Sequence, residues 1–477
     1  MEKVKKTLVS LICSAACFTA AADRMDDARR LVNEGDFWGA RQLLDKEASA
    51  NPRSSNTAAF NYLSGVCAFE GGDYAAARKL LETAKSKGSG AANLYLGRLA
   101  FLDYDFPKAQ DLYGEFRRYR EKAGQVAGEG VEEAERRLMT AENSLGRVEK
   151  ITVIDSIAVP TDGFYQFYKL PHSAGRILAP FEMPLEKHRD GAVMAFMNEG
   201  GDFMMWGEPD SVGNVHLVES LRLTDGNWQE PVSTPSFLNK GGYADYPFMM
   251  PDGVTLYYAS DGDESMGGYD IFVVSRDPQT GEYLQPQNLG MPFNSPYDDF
   301  LLAVDEENGV GWWATDRNLL GDKLTIYVYL VNDFRQNYSA DETDILEKAR
   351  LTDFRSTQDP EKSEEYSELL TKVKSIDPDE VKEAPEFHFP KPGGTYFTNM
   401  NDFKRASARQ AMKRYLHARQ ELDKEENRLA ALRKRFLVNR ADNVKQQIIQ
   451  FEKEIEQQRD ELVRLRSEVY RLEFSKK

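Results

Sequence analysis

The chain has 477 residues, more than one compact core usually holds, so roughly two to four domains are expected. It carries 61 basic and 78 acidic residues, a formal charge of −17, and 41% of its residues are hydrophobic. This composition excludes wholesale disorder and a multi-span membrane protein, and the acidic balance argues against nucleic-acid binding, which needs a basic face. Three cysteines and five histidines leave little material for a metal cage or a thiol active site.

Residues 1–22 have the three-part pattern of a secretory signal peptide. Lysines at positions 3, 5 and 6 precede the apolar run 7–19, and small residues follow up to Ala22. The apolar run is too short for a membrane span, which needs about 20 residues. We therefore expect export to the periplasm or to the outer membrane. Cleavage after Ala22 is favoured; the alternative is lipidation of Cys17, which follows small residues as in a lipoprotein signal.

Residues 23–146 contain a helical repeat. An aspartate and an aromatic residue are followed by an alanine at Ala40, Ala77 and Ala109, at intervals of 37 and 32 residues. Gly65 and Gly97 each lie twelve residues before the later two alanines, where paired helices would cross. This pattern resembles the tetratricopeptide repeat, although the first copy has Ala28 where that family has a glycine, and residues 130–145 would cap the stack.

The resemblance to tetratricopeptide repeats implies a concave face, built by the first helix of each pair, that binds partner proteins. The family's partner-binding positions correspond to Tyr62, Phe69, Leu94, Arg98 and Phe101. The alternative is that these side chains pack against the next domain. Cys67 lies on the same helix and is expected to be a small buried residue rather than a reactive thiol.

From residue 150 to 335 short β-rich segments alternate with turn residues, which is typical of an all-β domain. Asp261 matches Asp316 at an offset of 55 residues, and Gly226-Asn-Trp228 matches Gly281-Glu-Tyr283 at the same offset. Tyr243-Ala-Asp245 matches Tyr297-Asp-Asp299 at an offset of 54. One unit of four strands per such interval is what a β-propeller blade requires.

The segment 247–272 resembles the TolB-type WD40-like propeller repeat. It contains a Pro-Asp-Gly turn, a strand that ends in Ser-Asp, and the motif Gly267-Gly-Tyr-Asp-Ile-Phe272. Three or four such blades fit before residue 335, fewer than most complete propellers use. Either residues 151–190 and 385–399 supply further strands, or the sheets form an incomplete propeller.

Acidic and aromatic residues of this region are candidates for chemistry. Asp261, Asp263 and Asp270 are weak candidates for a metal site, because calcium prefers clustered carboxylates, but their spacing differs from an EF-hand loop. Adjacent Asp298 and Asp299 would point to opposite faces of a strand, which argues against a catalytic pair. No cofactor is expected. Four tryptophans could stack on a glycan, and adjacent Trp312 and Trp313 point to opposite faces of a strand, so that one of them could be exposed: Trp206, Trp228, Trp312 and Trp313.

Residues 336–400 read as an acidic linker whose segments 387–389 and 394–397 could return to the β-domain as a closing strand. Residues 401–477 have no proline or glycine and show apolar heptads, which predict a coiled coil. A helical hairpin with a turn near residues 438–443 is favoured; the alternative is one continuous helix that pairs with another chain. This end carries 20 basic and 13 acidic residues, a net +7 against −24 for the rest, so it suits an acidic partner or an anionic surface.

The predicted fold class is therefore multidomain α + β, with a helical repeat array, an all-β propeller-like domain and a C-terminal coiled coil. This order resembles exported cell-envelope proteins of the Bacteroidota, in which tetratricopeptide repeats precede TolB-type propeller modules. The resemblance implies a non-enzymatic scaffold or adaptor in a periplasmic or outer-membrane-associated complex. Its partners would be other envelope proteins, with self-association through the coiled coil and peripheral outer-membrane contact as further expectations. The alternative is a propeller-based glycan or peptide hydrolase, or a binding module, that uses acidic blade loops.

Overall fold

The structure is a computed structural model that describes residues 24–239, 241–277, 280–339, 342–376, 387, 389–390, 396–397, 399–439 and 442–474. The predicted signal peptide, with Cys17 and Ala22, lies outside the described residues. The chain divides into two compact units, one of Met1–Glu135 with Phe403–Lys477 and one of Arg136–Asp402. The prediction of an N-terminal helical region and a central region of antiparallel sheets is confirmed.

Three of the N-terminal helices begin at a recurring turn. The helices of this region are α1 (24–34), α2 (Phe37–Ala50), α3 (Ala58–Glu70), α4 (Tyr74–Ser86), α5 (Ala92–Leu102), α6 (Phe106–Lys122) and α7 (Glu129–Leu145). Asp36, Asp73 and Asp105 cap α2, α4 and α6, and each carboxylate accepts the backbone N–H three residues further on. The residue before each aspartate has a left-handed backbone, with φ of 80° at Gly35, 77° at Gly72 and 62° at Tyr104. The repeated motif is thus a sharp turn followed by a helix cap.

Small residues lie where successive helices cross. Ala40, Ala77 and Ala109 have no exposed surface. A Cβ added to Gly65 on α3 would lie 2.7 Å from the Leu81 side chain on α4, closer than packed atoms approach. A glycine at this position therefore lets α3 and α4 pack closely.

The central region contains short antiparallel strands. They are β1 (Thr152–Pro160), β2 (Arg176–Leu178), β3 (Ala195–Met197), β4 (Phe203–Pro209), β5 (Val215–Leu221), β6 (Val232–Ser233), β7 (Ala244–Met249), β8 (Thr255–Ser260), β9 (Asp270–Ser275), β10 (Gln287–Asn288), β11 (Asp299–Asp305), β12 (Val310–Thr315), β13 (Lys323–Leu330), β14 (Phe389–Pro390) and β15 (Tyr396–Phe397). The first sheet has the order β2-β3-β4-β5-β6, the second β10-β9-β8-β7 and the third β1-β13-β12-β11. One continuous hydrophobic core extends through these three sheets.

The third sheet is completed by a strand from the beginning of the region. β1 pairs with β13 from Thr152 opposite Leu330 to Pro160 opposite Lys323. The predicted closing segments after residue 385 instead contribute β14 and β15, which pair with each other in a sheet of their own. Within the described residues the sheets do not form a closed propeller.

The second and third sheets repeat the same hydrogen bonds at an offset of 55 residues. The Tyr243 N–H donates to Asp261 Oδ1 at 2.6 Å, and the Asp298 N–H donates to Asp316 Oδ1 at 2.9 Å. Tyr246 on β7 and Leu301 on β11 both have a left-handed backbone and are related by the same offset. Residues 243–245 therefore correspond to residues 298–300. The match predicted from sequence, to residues 297–299 at an offset of 54, is wrong by one residue.

Part of the predicted acidic linker packs on the sheets. It forms α8 (Ile345–Arg350) and α9 (Ser363–Lys374), and Tyr366 and Val373 on α9 are buried in the core of the sheets. Lys374 Nζ lies 2.9 Å from Asp155 Oδ2 on β1. Residues 342–376 are thus part of the sheet unit.

Two long helices, α10 (Ala406–Asn439) and α11 (Asp442–Phe474), pack along each other in antiparallel directions. Ion pairs join Arg414 to Glu468 at 2.9 Å and Arg433 to Glu452 at 2.7 Å, so residues early in α10 face residues late in α11. Buried aliphatic residues lie between them: Leu422, Leu429, Leu432, Val444, Ile448, Ile455 and Leu462. Coiled-coil packing of this pair stays a prediction.

Candidate functional site

Four of the five predicted partner-binding residues form a half-buried surface. Tyr62 and Phe69 lie on α3, and Leu94 and Arg98 lie on α5. Phe101 is different: it is 7% exposed and packs against Phe106 at 5.7 Å between ring centroids, so it belongs to the core. We call the open surface of α3 and α5 the α3/α5 face, defined by Tyr62, Phe69, Glu70, Leu94, Tyr95 and Arg98.

Tyr95 is the centre of this face and was missed from the sequence. Its ring makes edge contacts with Phe69 at 5.3 Å and with Tyr62 at 6.4 Å between centroids. The Arg98 guanidinium carbon lies 5.0 Å from the Tyr95 ring centroid, within the range of a cation–π contact. The i, i+3 spacing of Tyr95 and Arg98 on α5 is the signal that could have found this pair.

A carboxylate and a backbone carbonyl oxygen hold Arg98 in place. Its Nη1 lies 3.8 Å from Glu70 Oε1, and its Nη2 donates to the Gly130 carbonyl oxygen of α7 at 3.4 Å. Partial burial raises the pKa of Glu70 and of the phenols of Tyr62 and Tyr95. The α3/α5 face therefore presents aromatic rings around one positioned guanidinium, an arrangement typical of protein-binding surfaces.

Cys67 also lies on α3 and is buried in a core with Ala28 of α1 and with Ala40 and Leu44 of α2. Burial raises the pKa of its thiol to about 11, which keeps the thiol protonated at neutral pH. The thiolate is the reactive form of cysteine, so Cys67 is not poised as a nucleophile.

The predicted metal candidates have other partners. Asp261 accepts the Tyr243 N–H, Asp263 lies 3.5 Å from Arg136, and Asp270 accepts the backbone N–H groups of Met266 and Gly267. Within the part of the chain that the structure describes, no three His, Cys, Asp or Glu residues are grouped so as to hold a metal ion. These carboxylates therefore support loop conformation.

Asp298 and Asp299 also stabilise the sheets. Asp298 Oδ1 accepts the Tyr269 N–H at 2.8 Å, whereas Asp299 pairs with the buried Arg317 and accepts from the Ser295 hydroxyl at 2.6 Å. Burial raises the pKa of both carboxyl groups. Because the two carboxylates contact different partners, the structure does not bring them together as a catalytic pair.

The tryptophans do not form a stacking platform. Trp206, Trp312 and Trp313 are at most 2% exposed, and only Trp228 of the four is half-buried. Neither Trp312 nor Trp313 is exposed, because β12 is covered on both faces; the Trp313 ring, for example, packs against Phe293 at 5.2 Å.

No known protein family matches this chain, and neither a curated protein nor a solved structure does. Among the described residues, no helix is both long enough and apolar enough to span a membrane. Function must therefore be argued from the chain's own surfaces.

Proposed function

We propose that this protein is a non-enzymatic scaffold or adaptor that mediates protein–protein interactions in a complex of the cell envelope. The α3/α5 face carries the proposal. Tyr62, Tyr95 and Arg98 are half-buried, are fixed by contacts with one another, and lie on helices that cross their neighbours closely at Gly65 and Gly97. Tyr and Arg are the residue types that dominate protein–protein binding energy, and a rigid surface loses little entropy on binding.

The distribution of polar groups in the sheet region supports a role without chemistry. Its buried carboxylates accept backbone N–H groups or pair with arginine, as Asp270 and Asp299 do. General acid–base catalysis needs a carboxyl group within reach of a substrate proton. Carboxylates used in this way maintain strand and loop geometry instead.

The envelope location rests on the signal-peptide pattern of residues 1–22. The basic end of the chain, with a net charge of +7 over residues 401–477, provides a second surface for an acidic partner or for anionic lipid headgroups.

Affinity purification from the native cell envelope tests the proposal. The wild-type chain is compared with a Tyr62→Ala and Arg98→Ala double variant and with Lys79→Ala, which removes an exposed cation from α4. Wild type and Lys79→Ala should recover the same envelope proteins, and the double variant should lose at least one of them. Equal recovery by all three would contradict a role for the α3/α5 face.

The C-terminal helices are tested separately. A chain that lacks residues 402–477 should lose the association with an acidic partner or with vesicles that contain anionic lipid. Circular dichroism of the truncated chain shows whether the remaining helices have folded. Unchanged association of a folded truncated chain would remove the C-terminal helices from the proposal.

A further inference from the structure

Two cavities lie between the first and the second sheet. The first has a volume of about 270 Å³ and the second about 390 Å³. Phe196, Phe203 and Met249 form an apolar floor in the first cavity, and Arg276 lies at its edge. The second cavity is lined by Glu219, Ser233, Thr234, Pro235, Phe237, Gly281, Glu282 and Tyr283. The first cavity thus suits an apolar group, and the second combines carboxylates with aromatic rings.

One hydrogen-bonded network joins the two cavities. Arg276, from the first cavity, places Nη2 3.3 Å from Glu219 Oε1, and the Tyr283 hydroxyl donates to Glu219 Oε2 at 2.7 Å. The Arg276 guanidinium also donates to the Gly281 carbonyl oxygen at 2.9 Å and lies over the Tyr283 ring at 5.4 Å. Each of the three side chains is therefore oriented before any ligand binds, which lowers the entropic cost of binding.

This network is an addition to a turn that the first sheet also has. There, Arg222 donates to the Gly226 carbonyl oxygen at 3.1 Å and pairs across the turn with Trp228, as Arg276 does with Gly281 and Tyr283. Arg222 is exposed, whereas the Arg276 side chain is 27% exposed because Glu219 and Tyr283 cover it. Both turns share the hydrogen bond from the arginine to the glycine carbonyl oxygen, and Arg222 makes its bond while exposed, so the bonds of Glu219 to Arg276 and to the Tyr283 hydroxyl are an addition to the shared turn.

The charge of the second cavity selects a cation. Arg276 offsets the charge of Glu219, and exposed Glu282 leaves a net negative charge, since none of the described residues of the lining is basic. The aromatic ring of Phe237, which is half-buried in the lining, favours an ammonium or guanidinium group further. The neighbouring residues Val232 and Leu284 are 61% and 57% exposed, which provides apolar surface beside the cavity.

We propose that the two neighbouring cavities together bind an extended peptide segment, which places an apolar side chain in the first cavity and a lysine or arginine side chain in the second. Alternate residues of an extended segment point to the same side, about 6.6 Å apart, so one strand can present two side chains to neighbouring cavities. This inference is independent of the proposed role of the α3/α5 face.

Peptide binding to the full chain tests it. Fluorescent Gly/Ser peptides that contain one leucine and one lysine, separated by one to three residues, are titrated and followed by anisotropy. Matched peptides replace lysine with norleucine, which keeps the chain length and removes the charge, and N-acetyl-lysine methylamide tests the cation alone. At least one lysine peptide should bind roughly fivefold more tightly than its norleucine match and than the amide. Equal binding of lysine and norleucine peptides, or binding of the amide as tight as that of the peptides, would overturn the proposal.

Two variants locate the binding. Glu282→Gln should weaken the lysine peptide by about threefold to fivefold and leave the norleucine peptide unchanged. Met250→Asn, at the rim of the first cavity, should weaken both peptides. Glu307→Gln, which changes an exposed carboxylate just after β11, is the matched control and should change neither. If Glu282→Gln and Glu307→Gln behave alike, the cation does not bind in the second cavity.

Discussion

Aspartate side chains have two different tasks in this chain, and their surroundings decide which. Asp36, Asp73 and Asp105 lie at helix starts, where their carboxylates satisfy backbone N–H groups that have no partner within the helix. Asp245 and Asp270 have no exposed side-chain surface to speak of, at 3% and 0%, and accept backbone N–H groups inside the sheets. The first task is readable from local sequence, and the second depends on tertiary burial.

Replacement of Asp73 by alanine tests the capping role. The Asp73 carboxylate accepts the Ala76 N–H at 3.0 Å, and its loss should lower the free energy of unfolding by about 1 kcal/mol. Asp73→Asn keeps an oxygen acceptor and should behave nearly as wild type. Urea unfolding followed by far-ultraviolet circular dichroism measures both. Equal loss in the two variants would show that charge, not the cap, is responsible.

Buried Asp245 should make the stability of the sheets depend on pH. Burial raises the pKa of this carboxyl group to about 7 in the folded chain, against about 3.9 in an unfolded one. The folded state then holds the proton more tightly, so the contribution of Asp245 to stability is fully present below about pH 4 and is lost as the pH rises through 7.

Asp245→Asn removes this titration and keeps the side-chain shape. Relative to the variant, the wild type should lose stability steadily between about pH 4 and pH 7, as measured by urea unfolding followed by tryptophan fluorescence. Other titrating groups cancel in this difference. A wild-type minus variant difference that is constant over the range would contradict the assignment.

Among the elements, strand β1 shows how distant segments complete a sheet. It pairs with β13 over its whole length, so residues 152–160 and 323–330 must meet although more than 160 positions separate them. A disulfide tests this pairing. Pro160 and Lys323 are exposed Cα partners at its end, and directly opposed strand residues lie within the distance range of a disulfide.

The double variant Pro160→Cys and Lys323→Cys should form a disulfide under mild oxidation in a chain that lacks residues 1–22 and carries Cys67→Ala. The control pairs Pro160→Cys with Glu306→Cys, which is exposed at the other end of the third sheet. Mass spectrometry of peptides identifies the bond. Equal oxidation of both pairs would contradict the register.

The helices α10 and α11 allow a charge-reversal test. Arg414→Glu places a second carboxylate beside Glu468. The loss of the ion pair should lower the free energy of unfolding of the two helices by about 0.5 kcal/mol, which is measured as a lower melting temperature. Glu468→Arg in the same chain restores an ion pair and should restore most of the loss. Failure of the second change to compensate would contradict antiparallel pairing of these positions.

These elements also show how far sequence predicts the fold and the candidate site. The repeats of α2, α4 and α6 were predictable because a turn, a cap and a small crossing residue lie within a few positions of one another. The burial of Trp312 and Trp313 and the partner of β1 were not, because they depend on segments far along the chain. At the candidate site, Tyr95 was missed since its ring contacts with Tyr62 and Phe69 come from α3, and only its spacing to Arg98 on α5 was readable locally.

For the whole molecule, the charge of −17 separates into an acidic body and a basic end. Two surfaces of different chemistry follow: the aromatic α3/α5 face with its single held guanidinium, and the basic C-terminal helices. A scaffold needs several such independent surfaces, whereas an enzyme needs one convergent site. We therefore propose that the α3/α5 face contacts a partner protein in the cell envelope.

Site-specific photo-crosslinking in the native envelope tests that claim most directly. A benzophenone amino acid replaces Leu94, which is half-buried on the α3/α5 face, or exposed Lys79 on α4 as the control. We predict a crosslink from position 94 to a defined envelope protein, absent from position 79 and lost when Arg98 is also changed to alanine. Identical crosslink patterns from positions 94 and 79, or no crosslink from position 94, would contradict the account.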